Sequence, residues 1–155
     1  MPSRKIEDLV PEMAALVPAF LAEAVLAVKN AVIITCTARY DTEQAVLYAQ
    51  GREPIEDVNR KRKNIGWPPI SEQDNKKVTW TLDSKHIVHL PSDKARAFDF
   101  AIVVDGKALW NAKVCLNDDD IPAYEKIGLI AEKYGWKWGG RWKTPDFPHI
   151  EMKDV

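Results

Sequence analysis

The stretch "ARAFDFAIVVDGKALW" (residues 95–110) decides the fold. Residues 95–104 alternate as a strand does, Asp105-Gly106 is a tight-turn dipeptide, and "KALW" is the returning strand, so the segment predicts a β-hairpin. In the first strand, Ala95, Ala97, Asp99 and Ala101 share one face, while Arg96, Phe98 and Phe100 share the other. One face is bulky and the other nearly bare. A carboxylate set among alanines has room beside it for another group, and a charge there must be paired or bound to a metal. Two readings follow for Asp99: a helix packs on the alanines and the carboxylate caps or salt-bridges nearby, or it belongs to a site.

Outward from this hairpin, the pattern predicts helices at 3–9 and 11–29, the second opening with Pro11 in the first turn, where its missing N–H costs nothing. "AVIITCTA" (31–38) predicts a buried strand. In "DTEQAVLYAQGR" (41–52), Asp41 can cap a helix with Gln44 returning the bond, and Gly51 stops it. Residues 52–76, polar and rich in charge and proline, are expected to form a surface excursion, and "KVTWTL" (77–82) a strand. "DDDIPAYEKIGLIAEKYG" (118–135) has acidic residues at its start, Ile127, Ile130 and Tyr134 at helical spacing, and Gly135 as a stop. A final short strand follows. This order implies an α+β fold with a small, mostly antiparallel sheet flanked by helices.

The chain has 155 residues, enough for one core, and one domain spanning 1–155 is expected. It is 46% hydrophobic and 29% charged with a net charge of −1, so no overall positive field draws it to nucleic acid. Cys36 and Cys115 lack the spacing of a redox or zinc pair and read as buried, reduced thiols. The apolar stretch from Met13 to Val28 is preceded by Glu7, Asp8 and Glu12 and interrupted by Pro18 and Glu23. It reads as an amphipathic helix, with no signal peptide or stable membrane insertion expected. "RKRK" (60–63) reads as a solvated loop able to approach an anionic polymer.

Near the C-terminus, "DFPHIE" (146–151) sets Asp146 three places ahead of His149. A turn brings residues i and i+3 together, and Pro148 holds Phe147 to extended or turn geometry. A histidine beside carboxylates suits a metal ligand with an acid/base partner, and Asp99 can supply a third group from a distant strand. A hydrolytic zinc site takes three protein ligands and an open position. "SKHIVH" (84–89) offers His86 and His89 for the remaining ligand. All three histidines of the chain therefore fall beside the two aspartates.

The order "SKH" (84–86), "RAFDF" (96–100) and "DFPHIE" (146–151) resembles the zinc peptidases that include D-alanyl-D-alanine carboxypeptidases and dipeptidases and the phage L-alanyl-D-glutamate endolysins. "TARYDTEQAVLYAQGR" (37–52), with Arg39, Gln44 and "LYAQGR" in register, and "WKWGGRW" (136–142) resemble the endolysin branch. The resemblance implies one zinc ion per chain on His86, Asp99 and His149, with Asp146 as general base. It implies Arg39 as holder of a substrate carboxylate or developing oxyanion, against a purely structural ion pair, and Gln44 and Ser84 as positioning groups that bind substrate. Glu151 shares a strand face with His149 and is either an orienting partner or a rival base. The gap between His86 and Asp99 is longer than in most of the family and lacks glycine. His89 therefore stays as the alternative ligand, with Ser84 favouring His86.

The implied function is zinc-dependent hydrolysis of peptidoglycan stem peptides at the L-alanyl-D-glutamate bond by a monomeric phage-type endolysin. The expected location is the host cytoplasm until the membrane is breached and then the cell wall. The alternatives are a D-alanyl-D-alanine carboxypeptidase or dipeptidase, and a non-catalytic zinc-containing wall-binding module. Tryptophans 136, 138 and 142 line a cleft or fill the core.

Overall fold

The computed structural model describes residues 2–90, 92–117 and 119–154. Asp118, the first acidic residue ahead of the last helix, lies outside them. The main sheet runs β1 (Ala31–Cys36), β4 (Ala97–Val104), β7 (His149–Glu151), β6 (Lys137–Trp138), with β5 (Lys107–Leu109) also paired to β4. Every pairing in it is antiparallel. A separate pair, β2 (Arg39–Tyr40) and β3 (Ile87–Val88), is parallel. The fold class is thus α+β with a small antiparallel sheet, as the hairpin implied.

The bulky face of β4 makes the core. Phe98, Phe100 and Ile102 are fully buried. Phe20 of α2 (Val17–Val28) meets Phe98 edge-on at 5.6 Å and Trp136 at 5.5 Å, and Phe100 stacks on Tyr124 of α5 (Ala123–Lys133) at 5.3 Å. Such aromatic pairs add about 0.5–1.5 kcal/mol each beyond the area they bury. The two helices cover one face of the sheet and leave the alanine face of β4 toward the opposite side. The β4–β5 turn is made by Asp105 and Gly106, both left-handed at φ 51° and 77°, as a tight hairpin turn requires.

Several elements depart from the sequence pattern, each for a local reason. The predicted helix 3–9 is a single 3₁₀ turn at Ile6–Asp8. The predicted helix 11–29 is broken into α1 (Pro11–Ala14) and α2, because Pro18 can neither donate to residue 14 nor avoid its carbonyl. By length and composition alone Pro11–Val28 could cross a membrane, yet Met13, Val17, Phe20, Ala24 and Val28 are buried in this core. At α3 (Asp41–Ala49) the residue that reaches back is Glu43, which accepts from the Tyr40 N–H at 2.8 Å, and Gln44 points inward instead. The 52–76 excursion contains α4 (Ile55–Asn64), so "RKRK" is a helix end, not a loop. Its positive charge suits the helix dipole there, and Arg62 is buried, donating to the Pro68 carbonyl. Cys36 is buried as expected, but Cys115 is exposed in the connection before α5.

The segment 77–82 is not a strand. Its carbonyls are taken by side chains: Gln44 Nε2 donates to Thr81 O at 2.7 Å and Arg52 Nη1 to Thr79 O at 3.0 Å. The alternation is real, but Val78, Trp80 and Leu82 face outward rather than into the core.

Candidate active site

Register places the two central groups. In the β4–β7 ladder Asp99 lies directly opposite His149, and Ala97 opposite Glu151. Directly paired residues share a face, so Asp99, His149 and Glu151 all project from the alanine side of the sheet. His86 arrives by another route. The β2–β3 pair is closed by the Arg39 N–H donating to the His86 carbonyl at 2.8 Å, which sets the imidazole over β4.

The outcome is a triangle of donor atoms. His86 Nε2 lies 3.2 Å from Asp99 Oδ1 and 3.2 Å from His149 Nδ1, and His149 Nδ1 lies 3.2 Å from Asp99 Oδ1. A tetrahedral ion with nitrogen and oxygen ligands at about 2.0–2.1 Å needs those ligands about 3.3–3.4 Å apart. The donor set therefore fits zinc without rearrangement. His89 does not reach it: the ring is 71% exposed and faces Asp41 at 3.5 Å. Cys36 and His86 with Asp99 form another potential ligand group, but Cys36 lies on the Nδ1 side of the ring. That nitrogen is 2.7 Å from the Thr37 carbonyl and donates to it, leaving Nε2 as the ligating atom.

Each member of the triangle is held from behind. His149 Nε2 is 2.9 Å from Glu151 Oε1, and Glu151 Oε2 is paired with Lys85 at 2.8 Å. Both oxygens of Glu151 are thereby engaged. Asp99 Oδ2 accepts from Arg39 at 3.2 Å, while Arg39 also donates to Gln44 Oε1 at 2.9 Å and to Cys36 Sγ at 3.2 Å. Arg39 thus makes an ion pair with Asp99 and also lines the cleft. Gln44 is 1% exposed and spends its amide on Arg39, Thr79 and Thr81. It is absent from the cleft lining and bridges Arg39 and the 79–81 wall. Ser84 lines the cleft and accepts from the His86 N–H at 3.2 Å.

Asp146 is placed by its own turn. The His149 N–H donates to the Asp146 carbonyl at 3.2 Å, the i to i+3 closure expected of "DFPH", and the Asp146 N–H donates to Gly139 O at 2.9 Å. Ligand atoms of Asp146, Asp99 and His149 all lie within 4.8 Å of one another. Among the described residues no group donates to the Asp146 carboxylate, which lines the cleft. Burial, and then the charge of Asp99, push its pKa above the ordinary carboxylate value.

"WKWGGRW" explains how the turn fits. A Cβ on Gly139 would overlap the Asp146 carbonyl oxygen and stand 3.1 Å from Cβ of His149. Gly139→Ala is expected to displace the turn, costing about 1–3 kcal/mol as overpacking does. Thermal unfolding together with metal affinity will register both effects, and an unshifted melting temperature with parental affinity would refute the close-approach argument. Trp136 and Trp138 belong to the core, whereas Trp142 leans on His149 with ring centroids 4.9 Å apart.

The triangle sits in a cleft of about 840 Å³, walled by Val78, Trp80, Trp110 and Trp142 as well as the polar groups above. Residues 83–152, which contain His86, Asp99, Asp146 and His149, match the family described as D-alanyl-D-alanine carboxypeptidase. The match spans a little under half of the chain and takes in the whole triangle. The fold of this chain is similar to the crystal structure of the L-Ala D-Glu endopeptidase ChiX of Serratia marcescens. The likeness covers 99% of this chain and 89% of that one, at a TM-score of 0.52 and 18% identity. No curated protein matches the sequence.

Lys85 and the Thr37 carbonyl are parts of the site that the sequence pattern did not single out, while Trp142 is the one of the three C-terminal tryptophans that lines the cleft. Lys85 had one signal: it adjoins His86, within the motif itself. The Thr37 carbonyl becomes visible only when the chain is folded.

Proposed function

We propose that this chain is a zinc-dependent peptidase that hydrolyses peptidoglycan stem peptides at the L-alanyl-D-glutamate bond, acting as a phage-type endolysin. The observation that carries the reading is the 3.2 Å triangle of His86, Asp99 and His149 in an open cleft, beside an Asp146 carboxylate that has no partner among the described residues. The endolysin-like stretches 37–52 and 136–142 and the fold shared with an L-Ala D-Glu endopeptidase support the choice of bond. The family description favours a second reading, a D-alanyl-D-alanine carboxypeptidase. Mass spectrometry of digested muropeptides separates them. Release of intact stem peptides beginning at D-glutamate supports the first, and loss of only the terminal D-alanine supports the second.

When bound, zinc supplies Lewis acidity toward a carbonyl and lowers the pKa of water to about 7. Asp146 then accepts the proton of the attacking water and passes it to the leaving amine, a transfer suited to a carboxylate whose pKa is raised toward neutrality. Glu151 and the Thr37 carbonyl fix the two ring tautomers, and Arg39 fixes the Asp99 carboxylate, so that the ligating atoms converge.

Zinc uptake is expected to release protons. In the ion-free protein burial opposes the charge on His86, but the charge and hydrogen bond of Asp99 outweigh it and raise the imidazole to about 10. His149 is raised too, with burial opposing and Asp99 and Glu151 prevailing. His86 therefore holds a proton at pH 7 that a metal ligand must give up. Affinity should weaken as pH falls and strengthen toward pH 10. The sign is opposite for the ion-free fold: its gain from the His86–Asp99 pair is full below the unfolded imidazole value of 6.5 and fades as pH rises through about 10. Calorimetry in buffers of different ionisation enthalpy counts the released protons, and zinc binding with no buffer dependence would contradict this. A chelator should abolish hydrolysis and added zinc restore it. Activity that survives chelation would refute the zinc reading.

A further inference from the structure

Apart from the two imidazoles of the triangle, three basic side chains reach the cleft, Arg39, Lys85 and Lys143, among the carboxylates of Asp83, Asp99, Asp146, Glu151 and Asp154. Two of the cations are already spent. Arg39 holds Asp99, Gln44 and Cys36. Lys85 donates to the Met152 carbonyl at 2.7 Å and pairs with Glu151 at 2.8 Å and Asp154 at 2.9 Å, which uses all three ammonium protons. Lys143 has no carboxylate partner among the described residues. It lies between Trp142, which leans on His149, and the turn that carries Asp146.

We propose that Lys143 binds a substrate carboxylate next to the bond that is cut, and that it makes the enzyme prefer stem peptides whose D-glutamate α-carboxylate is free over those in which it is amidated. This rests on the L-alanyl-D-glutamate reading above. In such a stem the chain continues through the γ-carboxyl of D-glutamate, so the α-carboxylate remains on the carbon that bears the scissile nitrogen. Asp83 and Asp146 both line this cleft, and an anion entering it is favoured where a cation offsets them. Arg39, the obvious anion binder by residue type, is committed to Asp99. A lysine is a point charge on a flexible stem and can follow the substrate as it settles.

The test uses two disaccharide-linked stem peptides that differ only in α-carboxylate against α-carboxamide. The parental protein should cut the carboxylate form with kcat/KM about ten- to a hundredfold higher, the range of a hydrogen bond to a charged group. Lys143→Gln should lose most of that preference, chiefly through KM, while Lys143→Arg keeps much of it. Equal cutting of both peptides by the parental protein, or an equal loss on both in Lys143→Gln, overturns the proposal alone. Cutting of neither peptide overturns the bond assignment and this proposal with it.

Discussion

Asp146→Asn is expected to fold and to bind zinc, yet to hydrolyse stem peptides about 10²- to 10⁴-fold more slowly, the usual contribution of a general base. The substitution keeps size and shape. The contacts that build the turn are made by the backbone of residue 146, its N–H to Gly139 and its carbonyl from His149, so they survive the change. What disappears is basicity at the one cleft carboxylate beside the triangle that no described residue engages. Glu151, the rival, has one oxygen on His149 and the other on Lys85 and cannot take a proton without releasing one of them. Its pKa reflects this: burial opposes the charge, but His149 and Lys85 hold it down to about 2. Steady-state hydrolysis and metal content of the purified variant decide the matter. A variant as fast as the parent would remove Asp146 from the role of base.

His86→Ala is expected to abolish both zinc retention and hydrolysis, whereas His89→Ala keeps both. His86 is 1% exposed and supplies one corner of a three-atom set, and its loss leaves Asp99 and His149 as a two-point site. The loss of affinity should exceed the about 10- to 100-fold typical of removing an outer partner. Glu151→Gln gives that smaller value for comparison, since the amide can still accept from His149 but no longer pairs as an anion with Lys85. His89, 71% exposed beside Asp41, is the control. Metal content after dialysis, measured alongside circular dichroism to verify folding, separates loss of the ion from loss of the chain. Parental zinc content in His86→Ala would dismantle the three-ligand set.

The chain's local patterns determined the elements whose information is local. Period-two alternation in 95–104 defined β4 and its two unlike faces, Asp105-Gly106 defined the turn, and the spacing of Ile127 and Ile130 defined α5. The turn at 146–149 was legible for the same reason, since proline and short-range geometry act within four residues. The segment 77–82 was misread because alternation says which residues share a face but not whether that face meets core or cleft. There, buried Gln44 and half-buried Arg52 took the carbonyls that a neighbouring strand would have used. The break at Ala15–Leu16 and the helix inside 52–76 were missed where one proline, or one polar run, outweighed the wider pattern.

Sequence alone thus determined the residue types of the site, one face of the strand that carries Asp99, and the turn that carries Asp146. Only the tertiary structure brought His86 and not His89 to Asp99 and His149, turned Arg39 toward Asp99, buried Gln44 behind the cleft wall and left Lys143 as the cleft cation with no carboxylate partner among the described residues. The physical reason is that register and side-chain pairing are long-range. The Asp99–His149 ladder and the β2–β3 pair join residues about 50 positions apart, and which hydrogen bonds a side chain spends is settled only when those neighbours arrive.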